Sequence, residues 1–149
     1  MANAGSRMDH LTHVMDLMPT FLSVAETGYP DVYNGESVVP LQGKSLMPLL
    51  NGESPIEVES RELGWSAYGM DAYRQGYWKV LRLPAPYGNG DWQLYDLAAD
   101  PGELHDLSSE FPDRVEVLAN AWEDYADSNG VIQPNAATAY AKPVVGRKY

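Results

Sequence analysis

"RELGWSAYGMDAYRQGYWKVLRLP", residues Arg61 to Pro84, decides the fold. It consists of three short, aromatic-rich runs, RELGWSAYG, MDAYRQG and YWKVLRL, divided by glycine. Aromatic and β-branched residues suit the half-buried, pleated surface of a strand. Gln75-Gly76 offers a tight hairpin turn, because glycine takes the required positive φ without steric cost. A fourth run, DWQLYDL from Asp91, follows a wider loop over Pro84–Gly90 that carries two Pro and two Gly. Connections this short make neighbouring strands antiparallel.

Working downstream, Asp100-Pro101-Gly102 is a turn signal that ends the sheet. Leu104 and Leu107 lead to Pro112, placed as the first-turn proline of a helix over roughly 112–128. Val115, Leu118, Ala119, Trp122 and Tyr125 form its apolar stripe, and Asn129-Gly130 caps its end. Working upstream, Thr12-His13-Val14 reads as extended. Asp16 reads as an N-cap and Pro19 as a first-turn residue. Leu17, Phe21, Val24 and Ala25 recur at helical spacing, so a helix is expected over roughly 17–27, stopped by Gly28 and Pro30. Residues 29–60 read as a long loop with one helical turn at SLMPLLNG, closed by Gly52. A loop of that length must pack on something.

The expected fold class is therefore α+β. A small antiparallel four-stranded sheet packs on a long C-terminal helix, preceded by an N-terminal helix and a long loop. Residues 1–11 are expected to be disordered or vector-derived, 12–60 a strand-helix-loop segment, 61–132 the sheet-helix subdomain, and 133–149 a flexible tail.

Composition narrows the partners. Of 149 residues, 10 are Lys or Arg and 21 are Asp or Glu, a formal charge of -11. That argues against a nucleic-acid backbone or an anionic membrane surface as partner. No run approaches the length of a membrane span, and the N-terminus lacks the apolar core of a signal peptide. The compartment, cytoplasmic or periplasmic, stays open. Cysteine is absent, so thiolate chemistry, disulfides and Cys-based metal sites are excluded from this chain.

Candidate chemistry is sparse. Asp9, His10, His13 and Asp16 form the only His/Asp cluster and could in principle hold a divalent metal. A terminal position and the capping role of Asp16 favour a structural part for it. There is no G-x-S-x-G, H-E-x-x-H, P-loop or G-x-G-x-x-G. Arg61, Arg74, Lys79 and Arg82 concentrate basic residues on the sheet, where they either receive an anion or pair with the acidic surface. Trp65, Tyr68, Tyr73, Tyr77, Trp78, Trp92 and Tyr95 are placed on the sheet, mostly as core, with any outer ones free to stack on a ring.

The order of these pieces resembles the C-terminal region of a bacterial arylsulfatase, of the alkaline-phosphatase-like sulfatase family. The resemblance is carried by HVMDLMPTFLSVAETGYP, LQGKSLMPLLNGE, RELGWSAYGMDAYRQGYWKVLRLP and WQLYDLAADPGELHDLSSEFPDRVEVLANAWEDYADSNGV, in that order. It implies a large α/β domain completed by a small C-terminal subdomain of four antiparallel strands on one helix. It implies sulfuric ester hydrolysis, with formylglycine made from Cys or Ser in a Cys/Ser-x-Pro-x-Arg motif and calcium held by early Asp and later Asp-Asn pairs. This chain has none of these motifs, so no catalytic residue, metal ligand or cofactor is assigned to it, and the isolated chain is expected to be inactive. The N-terminal domain of such an enzyme, or a second copy of this chain, is the expected partner. The stretch Gly64–Arg74 resembles the family's junction with the active-site domain. That makes Trp65, Tyr68, Asp71 and Arg74 its candidate substrate contacts. Many relatives have Glu where this sequence has Ser66. Two other readings stand beside this one: a non-catalytic module that binds a ligand or protein through its aromatic sheet, and a stand-alone metal enzyme using His10, His13 and Asp16.

Overall fold

The computed structural model describes residues 5, 7, 10–53 and 60–133. Asp9 and residues 134–149 of the expected tail lie outside them. The chain divides into two compact units, Met1–Val58 and Glu59–Tyr149.

The first unit holds α1 (Leu17–Val24), β1 (Val32–Tyr33), β2 (Glu36–Ser37) and α2 (Met47–Leu50), and the second β3 (Glu62–Ala67), β4 (Met70–Gln75), β5 (Trp78–Arg82), β6 (Trp92–Asp96) and α3 (Pro112–Ser128). All four strands pair antiparallel in sequence order. Tyr68-Gly69, with φ of 57° and 78°, joins β3 to β4, the positive pair that a twisted two-residue hairpin requires. Gly76, at φ 60°, opens the turn between Gln75 and Trp78. The sheet, its order and its helix are those expected from sequence.

α3 lies on one face of the sheet. Tyr73, Val80 and Leu94 pack there with Leu118, Trp122 and Ala126. Trp122 is 1% exposed, and its indole Nε1 donates to Trp65 O at 3.1 Å. Of the expected stripe, Val115, Leu118, Trp122 and Tyr125 pack on the core, joined by Ala121 and Ala126, and Ala119 is half-buried. The Tyr125 ring occupies the place where a Cβ on Gly64 would stand, so only glycine fits that position of β3.

The sheet stops earlier than expected, at Asp96 rather than at Asp100-Pro101-Gly102. Asp96 Oδ1 accepts from Ala98 N, and Asp96 O accepts from Asp100 N at 2.7 Å, so a tight turn has already begun. Asp100-Pro101-Gly102 makes a second turn, which sends the chain back along β6. Leu107 N donates to Leu94 O at 2.8 Å, and Leu94 N donates to Asp106 Oδ1 at 3.0 Å. The short Leu-containing tail thus satisfies the free edge of β6.

In the first unit α1 spans Leu17–Val24. It ends before the expected residue 27 because Glu26 adopts the left-handed conformation, φ 50°, and Thr27 N closes back on Leu22 O. The strand expected at Thr12–Val14 does not form. His13 is extended, and Val14–Asp16 is a 3₁₀ turn. Asp16 makes no side-chain cap bond to α1. Its Oδ2 accepts from His13 N at 2.7 Å, and its Oδ1 from Lys44 N at 2.9 Å. α2 (Met47–Leu50) is the expected helical turn. A small hairpin, β1 (Val32–Tyr33) and β2 (Glu36–Ser37), lies inside the expected loop, turned by Asn34-Gly35 at φ 52° and 86°. Among the described residues no helix is long and apolar enough to cross a membrane.

Candidate functional site

The pleat sorts the chemistry of the sheet. Asp71, Tyr73, Val80 and Arg82 point toward α3, and Trp65, Ala72, Arg74, Lys79 and Tyr95 toward the opposite face, where Ala72 and Tyr95 are buried and Trp65 is exposed. On that face a cleft of about 580 Å³ is lined by Trp65, Arg74, Tyr77, Lys79, Leu97, Pro101 and Glu103. Arg74 and Lys79 are direct cross-strand partners. Lys79 Nζ lies 2.6 Å from Glu103 Oε1. Arg74 Nε donates to Gly76 O at 2.7 Å, which orients the guanidinium. Burial lowers the Arg74 pKa from its ordinary value, opposed by Tyr77 and Glu103. Burial, reinforced by Asp106, Glu103 and Asp100, raises that of the neighbouring Tyr95 phenol. A cleft with aromatic walls and two cations can hold a ring that carries an anionic group.

Of the four residues singled out in the sequence, Trp65 and Arg74 meet in this cleft. Tyr68 stands at the β3–β4 hairpin tip, exposed. Asp71 lies on the other face and is 1% exposed. Its carboxylate accepts from Ser66 Oγ at 2.8 Å, from Arg82 Nη2 at 2.8 Å and from Gln133 Nε2 at 3.4 Å. The Arg82 guanidinium in turn lies over both Trp92 and Trp122, at 4.5 and 5.0 Å from the ring centroids. Asp71 therefore holds the sheet to the helix. Sequence reasoning did not single out Tyr77 or Glu103 as cleft residues. Glu103 reaches the cleft only through the second turn after β6, which no local pattern announces.

Among the described residues no group of three or more His, Cys, Asp or Glu is placed to hold a metal. His13 and Asp16 are engaged in the 3₁₀ turn, where His13 Nδ1 accepts from Met15 N at 3.4 Å. With no cysteine and no Ser-x-Pro-x-Arg, the sequence holds no formylglycine precursor.

No family model matches the chain. Individual relatives do. It is 33% identical over 125 residues to an uncharacterized sulfatase of Schizosaccharomyces pombe, covering 83% of this chain and 23% of that protein. It is 30% identical over 129 residues to arylsulfatase K of Xenopus laevis, covering 76% of this chain and 22% of that protein. Among solved structures, the crystal structure of Ps i-CgsB matches 89% of this chain and 27% of its own, at 26% identity and a TM-score of 0.62. BT4656, in complex with D-glucosamine-2-N,6-O-disulfate, shares the fold at 22% identity and a TM-score of 0.52 over 77% of this chain. The chain thus spans under a quarter of the length of these curated relatives. The chain belongs to the sulfatases and corresponds to their C-terminal region.

Proposed function

We propose that this chain is the C-terminal part of an arylsulfatase and that it supplies a wall on the substrate side, not the reacting centre. The observation that carries this reading is the cleft that joins Trp65, Arg74, Tyr77 and Lys79 in a chain similar to sulfatases. A sulfuric ester presents a ring and a compact anion. An indole face packs against the ring, and guanidinium and ammonium groups attract the anion. Tyr68, exposed at the hairpin tip, extends the same side of the molecule as a contact. Calcium and formylglycine belong to sequence outside this chain.

The isolated chain is expected to show no turnover of 4-nitrophenyl sulfate. It lacks the nucleophile and metal carboxylates on which such acceleration depends. Turnover that follows the protein through purification from a host without sulfatases would overturn the reading.

The partner follows from the first unit. Val14, Leu17, Met18, Phe21 and Val24 are exposed on and beside α1. An apolar surface of this kind serves association. In the whole enzyme it receives the N-terminal α/β domain, and in the isolated chain a second copy. Light scattering over a dilution series is expected to show self-association that Phe21→Glu abolishes. A monomer at every concentration would exclude the second copy.

A further inference from the structure

The Asp100–Glu103 turn does more than reverse the chain. Arg74 and Lys79 face each other across β4 and β5, where side chains stand close and like charges repel. Glu103 sits against this pair, with its carboxylate 2.6 Å from Lys79 Nζ. Its charge also acts on Arg74. The turn is built to put it there. Asp100 Oδ2 accepts from Leu104 N at 2.7 Å and from His105 N at 2.8 Å. Glu103 itself is held at φ 55°, a conformation that disfavours a side chain with a Cβ. A strained residue that delivers a carboxylate to Lys79, beside Arg74, resembles an occupant more than a surface ion pair. The pair is also within reach of solvent, with Lys79 and Glu103 side chains 20% and 27% exposed.

We propose that Glu103 is an internal latch. It fills the Lys79–Arg74 anion position of the cleft until a ring bearing a sulfate group displaces it. This rests on the reading of the cleft as a substrate-side wall. The Trp65 and Tyr77 rings, 36% and 41% exposed, flank the position and receive the ring of the ligand. An ion pair that solvent reaches is weakly held. A sulfate with several acceptor oxygens satisfies both cations together, which one carboxylate oxygen on Lys79 does not. The latch keeps neighbouring cations from repelling in the empty cleft, and it selects for ligands that carry a full anion.

The test is a titration of the 149-residue chain with glucose 6-sulfate, phenyl sulfate and neutral glucose, followed by NMR at the Trp65 indole and Arg74 Nε–H. Glu103→Gln removes the charge. Glu103→Gly removes the side chain and relieves the positive φ, so it is a second variant that keeps the turn. Both are expected to bind the sulfated rings about five- to tenfold more tightly than the parent, the scale of losing one competing ion pair. Lys79→Gln is expected to weaken them by a similar factor, and glucose is expected to leave all spectra unchanged. A stronger response to glucose 6-sulfate assigns a saccharide ring, and a stronger response to phenyl sulfate an aryl ring. Sulfate binding that is unchanged in both Glu103 variants would overturn the latch and leave the wall standing. No binding to the parent or to either Glu103 variant would overturn both.

Discussion

The two units of this chain are held together by opposite means. In the unit from residue 59 onward a cluster of apolar side chains carries most of the burial, with Val80 and Leu94 at 0%, Trp122 at 1% and Leu118 at 2% exposure, beside the ion-paired Asp71 at 1%. Among the described residues of the unit before it the most buried side chain is Asp16, at 0%, and Thr20 is buried as well. There Thr20 Oγ1 donates to Asp16 O at 2.6 Å and accepts from Leu46 N at 2.8 Å, while Asp16 ties down His13 and Lys44. Ser23 Oγ bonds Ser45 Oγ at 2.9 Å. These staples bind the segment before α2 to α1, while the large apolar residues of α1 stay exposed. Burial of apolar area gives one unit a core of its own. Satisfied amides give the other a defined shape but little apolar burial, and leave its apolar residues to a partner.

The hardest test of this contrast pairs one substitution from each unit. Trp122→Ala removes the largest fully buried side chain among the described residues and leaves Trp65 O without its indole donor. A cost of about 3–5 kcal/mol is expected, read as a lower urea midpoint or melting temperature. Phe21→Ala, at an exposed position, is expected to stay within about 0.5 kcal/mol at concentrations where the chain is monomeric. If the two cost the same, the contrast collapses.

Gly64→Ala probes the packed unit more finely. The added methyl meets the Tyr125 ring, so a cost of about 1–3 kcal/mol from overpacking is expected. The cost should shrink in a Tyr125→Ala background, which a double-mutant cycle would read directly. Asp16→Ala is the matching test in the stapled unit. It orphans the His13 and Lys44 amides, at about 1–3 kcal/mol together after relaxation toward water. Amide exchange at Lys44 and Leu46 should accelerate, while protection at Val80 and Leu94 is unchanged. Slower or unaltered exchange at Lys44 would show that the staple does not hold that segment.

The sheet and α3 were legible because their signals are periodic and local. Glycine and proline divide four aromatic runs, and a helical stripe follows a first-turn proline. What escaped depends on distant partners. The stop at Asp96 comes from its own side chain turning the next residues, ahead of the stronger Asp-Pro-Gly signal. The Asn34-Gly35 hairpin carried a clear turn signal, but its strands are two residues long and exposed, so no hydrophobic alternation marked them. Asp16 looked like a helix cap. It is instead a bridge to Lys44, and nothing near residue 16 points across that gap. Within the candidate site, Asp71 and Arg74 lie an odd number of residues apart on one strand, so the pleat alone sends them to opposite faces. That much was readable. The arrival of Glu103 beside Lys79 was not, because it needs both turns after β6.

The smallest expected effect lies where the packed unit borrows the device of the stapled one. Asp106 holds the returning tail to β6 through Leu94 N, and also accepts from Ser108 N at 2.9 Å. Burial alone would raise its pKa, but the Leu94 and Ser108 amides outweigh that and hold it below its ordinary value. A carboxyl depressed in the folded state stabilises the protein above its unfolded pKa, near 3.9, and loses that contribution as pH falls through the lower folded value. Asp106→Asn keeps an acceptor oxygen and removes the charge, so it isolates the electrostatic part. The position is largely exposed, and after solvent screening the difference at neutral pH is expected to be about 0.5 kcal/mol in favour of Asp106. Urea midpoints of the two proteins should differ by a constant amount from about pH 7 to about pH 5, then converge as the pH drops below about 4. A gap that widens in acid would reverse the sign. It would also mean that the tail is held by its Leu107–Leu94 backbone bond and apolar contact, in the manner of the core it borders.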